Sequence, residues 1–441
     1  MNRYAPRTVS LAVGAAMVVA SGTALAQPAV PEIPQVEVSY ASLHAIDHTH
    51  IVIPITKGWD KDVGITITPG KFGTSVGADK IVSVLTAGTV DISSGSTVFS
   101  LAGYSTNSNY VDFMHGDIFQ GFGFMVDPEA GYKSVTDFID EGTEPKAAIK
   151  ATAEQFRGKS LATLNEGGIR GFITIALESA GMSMDDITVN SFDTDSKIVA
   201  EMISGRADFA VGSAPGRVSM TLEGFVPVMT SLHISQFADA TPDSKELRAV
   251  FHDGWATTRD YYANNKETLY RFASMIYRTL RLMVDRPQET IPPHTDFLNS
   301  IMGSTLTPAD VEVIYEELNP FVPFEDQAMW YEDRYRTTNP EHYANITGAH
   351  IKLWEEQEVL EAGKWTPDNA SFAIEFWHEM QALKVDAHAA ILEARAAVSD
   401  ATPKAAELLA QAEFHDSIYN FYDAGRFARA AAEWAAHESG S

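Results

Sequence analysis

Residues 158–182 read GKSLATLNEGGIRGFITIALESAGM. A short apolar run, SLATL, stops at Leu164. A glycine-rich turn, NEGGIRG, follows, and FITIALESAG then repeats apolar residues at helical spacing. This is a strand entering a helix through a tight turn. Glycines let backbone approach a ligand there, and the helix start offers unpaired N–H groups and the positive end of the dipole. The turn is a candidate cradle for an anion or polar group, or else only a tight turn. It is no P-loop, because no Lys-Ser/Thr pair follows the glycines and GxGxxG spacing is missing.

The same grammar extends both ways. Upstream, VEVSY and GITITP read as strands, GADKIVSVLTAGT as an amphipathic helix, and VDISSGS as a third strand ending in small polar residues. Downstream, ITVNSF, ADFAVGS and FVPVMTS are strands, with the helix SKIVAEMISGR between the first two. Repeated β-α-β order predicts an α/β fold with parallel sheets covered by helices. Helices dominate afterwards: KETLYRFASMIYRTLRLMVD, then TPADVEVIYEEL behind a threonine cap. From about Ser371 the chain is alanine-rich, with helices expected to break near 399–403 and at Gly425.

Residues 1–26 read as a secretory signal: Arg3 and Arg7, the apolar run LAVGAAMVVA, and the small-x-small site Ala24-Leu25-Ala26. The expected home is the periplasm, with no segment long enough to span a membrane. The 441 residues include 32 Lys+Arg, 59 Asp+Glu and no cysteine, for a net charge of −27. Loss of the signal makes it −29, because that segment holds two arginines and no acid. Such a surface repels nucleic acid and anionic lipid. Lack of cysteine excludes a disulfide framework and a lipoprotein anchor.

Motifs for catalysis are weak. Gly73-Thr74-Ser75-Val76-Gly77 matches GxSxG, but a loop separates the preceding strand from Ser75, which reads better as a helix N-cap. HEMQA at His378 lacks the second histidine of HExxH. HAIDHTH gathers His44, Asp47, His48 and His50, whose spacing suits metal ligands, ligand contacts or polar residues at a helix start. No catalytic constellation, metal site or cofactor is assigned.

The segments TKGWDKDVGITIT, SVLTAGTVDISSGS, FRGKSLATLNEGGIRGFITIALESAGM, EMISGRADFAVGSAPGRV and ATTRDYYANNKETLYRFASMIYRTLRLMVDRPQET occur in an order and spacing that carry a resemblance. The chain resembles the solute-binding proteins of ABC importers, in the nitrate/sulfonate/taurine (NMT1/THI5-like) group, over about residues 36–290 and more weakly to about 363. The resemblance implies a two-lobed type II periplasmic binding fold. Lobe 1 would combine 27–125 with 230–370, lobe 2 would be 126–229, and residues 371–441 would form an extra helical extension. The hinge would lie near 122–127 and 229–233.

Ligand-lining positions follow from the resemblance by motif: Ser42, His44 and His48 after the first strand, Thr74 and Ser75, then Ser94 and Ser96. In lobe 2 they are Glu166, Gly167, Gly168 and Arg170, with Ser213 and Pro215. Arg170 would grip an oxyanion bidentately, or instead pair with Glu166 or Glu178. Trp59, Tyr104, Phe119, Phe122 and Trp255 are candidate apolar walls, of which one or two are expected to touch ligand. The implied function is capture of a small organic anion, carboxylate or sulfonate, for delivery to an ABC permease, without catalysis. The alternative is an interaction or sensory module whose tail docks a partner. The histidine-rich loop departs from the group's usual proline and small apolar residues. The cysteine motif of its pyrimidine-synthesising relatives is missing.

Overall fold

The computed structural model describes residues 27–43, 48–399 and 401–440. Residues 1–26, read above as a secretory signal, lie outside the described residues, as do His44 and Asp47. Two sheets organise the chain. The first has six strands in the order β2(Ile65–Thr68), β1(Val36–Leu43), β4(Ile92–Gly95), β11(Phe251–Thr258), β5(Tyr110–Phe119), with β3(Thr74–Val76) pairing beside β1. The second has five, in the order β10(Val226–Thr230), β6(Gly123–Val126), β9(Phe209–Val211), β7(Ser160–Leu164), β8(Thr188–Phe192). Helices cover both sheets, which gives the two lobes of a type II periplasmic binding fold.

The chain leaves the first sheet after Phe119 and enters the second at Gly123, then returns between Thr230 and Phe251. The two crossings touch, because the Ser231 amide donates to the Phe122 carbonyl at 3.0 Å. Arg217 also donates to the Gly121 carbonyl at 3.1 Å. Aromatic rings run through this waist: Phe251 to Phe119 at 5.2 Å, Phe119 to Phe122 at 4.4 Å, Phe122 to Phe172 at 5.6 Å and Phe172 to Phe124 at 4.8 Å. The ladder joins the cores of the two lobes by apolar burial, which is non-directional and tolerates small rotations.

The sheets are mixed, where parallel sheets were expected. β11 runs antiparallel to both β4 and β5, and β6 runs antiparallel to β10 and β9. The returning strands are hard to read because β5 and β11 are almost wholly buried and contain Asp112, His115, Asp117, His252 and Asp253. They show neither alternation nor an apolar run. Ser75 is likewise no N-cap: it lies within β3, opposite Ser42, and Gly77 precedes the helix Ala78–Thr86. Its place inside a strand also removes it from a strand-to-helix elbow.

The extension forms three helices, Ala373–Ala397, Pro403–Ser417 and Phe421–Gly440. The second break falls at 418–420, where Tyr419 is left-handed at φ 65°, and not at Gly425. Gly425 sits inside the last helix, beside Arg429, which pairs with Asp386 of the first tail helix at 2.8 Å. Phe376, Trp377, Met380 and Phe421 join the core of lobe 1. No helix among the described residues is long and apolar enough to cross a membrane.

Candidate functional site

A cavity of ≈180 Å³ lies between the lobes, where strands of both sheets present their carboxyl ends. That is the binding position of open α/β sheets. Lobe 1 contributes Leu43 from the end of β1, Phe99 beyond β4, Phe119 from the end of β5, and Phe251 and Asp253 from β11. Lobe 2 contributes Leu164 and Glu166 from the end of β7, residues 193–196 beyond β8, and Ser213 beyond β9. Phe122 from the crossing and Ile301 complete the apolar wall.

The glycine-rich turn at 165–171 meets protein. A Cβ on Gly167 would stand 2.6 Å from the Val98 carbonyl, one on Gly168 would overlap the Phe251 ring, and one on Gly171 would lie 2.7 Å from the Arg248 carbonyl. Val98, Phe251 and Arg248 belong to the lobe 1 side. The glycines bring the start of the helix Gly167–Ser179 flush against the opposite lobe. His350 also borders Gly171, and burial pushes its imidazole down to about 4, so it is neutral near pH 7. Its Nε2 lies 3.0 Å from the Val250 carbonyl, a contact that needs the proton on that nitrogen.

Of the helix starts expected to line an oxyanion, the two in lobe 2 already carry a carboxylate of the chain. Glu166 accepts from the Gly168 amide at 2.7 Å and caps its own helix. Asp195 accepts from the Ser213 amide at 3.0 Å and from the Ser213 hydroxyl, at the start of the helix Ala214–Leu222. Gly216 and Gly212 clear space for it, since a Cβ on Gly216 would overlap the carboxylate. Anions are favourable at helix starts, and these are built in. On β11, buried Asp253 faces the equally buried His48 at 3.7 Å. Asp193 sits at the mouth, where a hydrogen bond from Lys197 holds its carboxyl below the ordinary range.

Of the positions carried by the resemblance, the cavity gathers His48, Glu166 and Ser213. Ser42 and Thr74 are bound up in the β1–β3 pairing with Ser75, Ser94 accepts from the Leu43 amide at 3.0 Å, and Ser96 caps the short helix Thr97–Ser100. Pro215 occupies the first turn of its helix, and Gly167 and Gly168 serve the lobe contact. Arg170 is exposed, lies 5.5 Å from the Trp354 ring centre, and borders a neighbouring groove of ≈340 Å³. Glu178 meets Lys245 at 3.3 Å and Arg248 at 3.9 Å. Among the aromatic candidates Phe119 and Phe122 line the cavity. Trp59 stacks under Arg278 at 3.9 Å, Tyr104 bonds the Ala370 carbonyl, and Trp255 is core.

Sequence reading missed Phe99, Phe251, Asp195 and Asp253. Asp195 had one signal, the DTDSK run between a strand and an apolar helix, which reads as a cap. Of the histidine cluster, His48 faces Asp253 while His50 packs edge-on to Trp255 and Phe321. Among the described residues no group of three or more acidic, histidine or cysteine side chains is arranged to hold a metal.

Residues 122–290 match the family model described as NMT1/THI5 like. The likeness is to the NMT1/THI5-like group. No curated protein matches the chain. Among solved structures it is similar to the periplasmic aliphatic sulphonate binding protein SsuA from Escherichia coli, at 13% identity over 74% of this chain and 88% of that one, with a TM-score of 0.51. It is similar also to the periplasmic nitrate-binding protein NrtA from Synechocystis PCC 6803, at 11% identity over 80% and 90%, with a TM-score of 0.53. The desulfurization enzyme DSZB is a third, at 10% identity over 78% and 98%, with a TM-score of 0.50. Identities this low establish a shared fold, and that fold serves binding proteins and an enzyme alike.

Proposed function

We propose that the protein is a periplasmic solute-binding subunit that closes its two lobes around a small organic solute and presents it to the permease of an ABC importer. The observation that carries this reading is the ≈180 Å³ cavity at the facing strand ends, enclosed by lobe contacts made through Gly167, Gly168 and Gly171. An engineered cavity of about 150 Å³ admits a benzene ring, so a single ring or a short branched chain is the size expected. Ligand that bridges both lobes favours the closed form, and the permease reads that form. Secretion through residues 1–26 belongs to the same reading, as do a hinge at the paired crossings and binding without catalysis.

The small carboxylate or sulfonate implied by the resemblance suits the cavity by size. It would bind beside Glu166, Asp195 and Asp253, however, with no Lys or Arg among the described lining residues. The tail packs on lobe 1 through Phe376, Trp377 and Phe421, which supports a structural role for it, while Val385, Leu392 and Phe414 stay exposed.

A thermal-shift screen of the mature protein against small carboxylates, sulfonates, ammonium compounds and neutral heterocycles tests the proposal. A ligand of the native state raises the melting temperature by mass action, and at 100 times its Kd adds about 2.7 kcal/mol. A melting temperature unmoved by every class would end the solute-binding reading.

A further inference from the structure

We infer that the solute carries a single aromatic ring, seated against the phenylalanine wall of the cleft. The inference rests on the solute-binding reading and names the ligand class of the same cavity. Its first support is the make-up of the wall. Phe99, Phe119, Phe122 and Phe251 all border the cavity, with Leu43 and Leu164 beside them. The four rings come from the short helix after β4, the end of β5, the crossing between the lobes and the start of β11. Sites for small molecules are lined in this way, by apolar and aromatic side chains with a few polar groups to orient the ligand.

The second support is how the rings meet. Phe99 stands nearly edge-on to Phe251 at 5.6 Å and 70°, while Phe251 stacks on Phe119 at 5.2 Å and 19°. Phe119 meets Phe122 at 4.4 Å and 56°, and the His48 ring lies 5.7 Å from Phe99. Edge-to-face and offset pairs let ring quadrupoles attract, and they gain more than the area they bury. A ligand ring in the cavity adds a further member to this set. A saturated ring of the same carbon count buries as much apolar surface but brings no quadrupole.

Position and size complete the argument. The rings continue through Phe172 and Phe124 of lobe 2, so the set crosses the waist where the lobes join. A ligand ring resting on it makes contacts that belong to the closed form, which ties ring recognition to closure. The cavity holds ≈180 Å³, against about 150 Å³ for an engineered cavity that admits benzene. One small polar substituent fits in the remainder, bordered by Glu166, Thr194 and Ser213 of lobe 2, and a second fused ring does not.

Calorimetry on the intact mature protein with matched ring pairs tests the assignment. The pairs are benzoate with cyclohexanecarboxylate, benzyl alcohol with cyclohexylmethanol, and benzylamine with cyclohexylmethylamine. Charge is constant within each pair, so the comparison reads the ring whatever the polar end. The expected result is that an aromatic member binds and its saturated partner is at least about tenfold weaker, or 1.4 kcal/mol. The 2-naphthyl counterpart of that member should be weaker by a similar factor. Phe99→Leu keeps an apolar side chain but removes a ring, and should cut the aromatic preference to below about threefold. Phe119→Leu makes the same removal from β5, so the test survives if one variant fails to fold. Saturated members that bind as well as aromatic ones, or a thermal-screen ligand with no ring, would overturn the aromatic class and leave a solute-binding protein. An undiminished preference in both folded variants would also overturn it, because the ring would then rest elsewhere. Silence from every pair and from the broader thermal screen would overturn both readings.

Discussion

Carboxylates are buried in two regions of this molecule, and the chain treats them differently. At the junction of tail and lobe 1, Asp423 is held by Arg271 through bonds of 2.8 and 3.0 Å, by Asn420 at 2.9 Å and by Arg426 at 2.6 Å. Its counter-charge is supplied by the fold. In the cleft, Glu166, Asp195 and Asp253 are steadied by helix starts, a serine and a histidine, and the described lining includes no Lys or Arg. The contrast is between a carboxylate fixed by arginines and carboxylates fixed by backbone amides, a hydroxyl and an imidazole.

The largest effect should come from breaking the junction altogether. Ending the chain after Ala370 removes Phe376, Trp377, Met380 and Phe421 from the core of lobe 1. Burying each is worth about 1.5–3 kcal/mol, so the loss is comparable with the ~5–15 kcal/mol that holds a typical domain together. Expression of the shortened chain should give insoluble protein. A soluble product with an unchanged melting temperature would make the tail a bystander. A narrower break is Asp423→Ala, which leaves Arg271 buried without its main partner, at a cost of about 3–5 kcal/mol. Denaturant titration reads that cost, and ligand affinity should stay put.

The same junction has a pH signature. Burial alone would raise the Asp423 carboxyl, but the bonds from Arg271, Asn420 and Arg426 outweigh it and hold it below its ordinary range. A folded pKa below the unfolded one gives stability that is complete above the unfolded value, about 3.9, and drains away as pH falls through the folded value. Wild type should therefore lose stability below about pH 4 more steeply than Asp423→Asn. Parallel acid curves for the two proteins would show that the charge of Asp423 does not contribute.

Much of this was legible in the chain, and the gaps have physical causes. Strand, turn and helix at 158–182 appear as read, as do β1, β2, β4 and the long helix Lys266–Asp285, because each shows a clean strand or helix period. β5 and β11 were invisible because burial on both faces removes alternation, while their Asp and His residues break the apolar run. The glycines of 165–171 read as bringing backbone close to a ligand, and in the structure they bring it against Val98, Phe251 and Arg248 of the protein itself. Sequence alone gives no means of knowing that the approaching group is Phe251 or Arg248 of the other lobe. The acidic lining was hidden for a similar reason. Glu166, Asp195 and Asp253 are far apart in the chain, and each alone resembles an ordinary cap or surface acid.

Those glycines supply the next test. Gly168→Ala sets a methyl against Phe251 of the opposite lobe when the lobes are shut. Overpacking of this kind costs about 1–3 kcal/mol, which falls on the closed form and should weaken solute binding roughly ten- to hundredfold. Small-angle scattering should show a larger radius of gyration for the variant at saturating solute. Unchanged affinity would mean that the contact is not part of closure.

The smallest effect sharpens the comparison most. Arg170 is the cation that the resemblance would place on an oxyanion, yet it lies exposed over Trp354 beside the adjoining groove. An exposed cation–π contact is worth about 0.5–1 kcal/mol, and a surface charge acts on the cleft only through screened distance. Arg170→Ala should thus shift solute affinity by less than about threefold. A collapse of affinity would put Arg170 on the ligand and support the oxyanion that the resemblance implies.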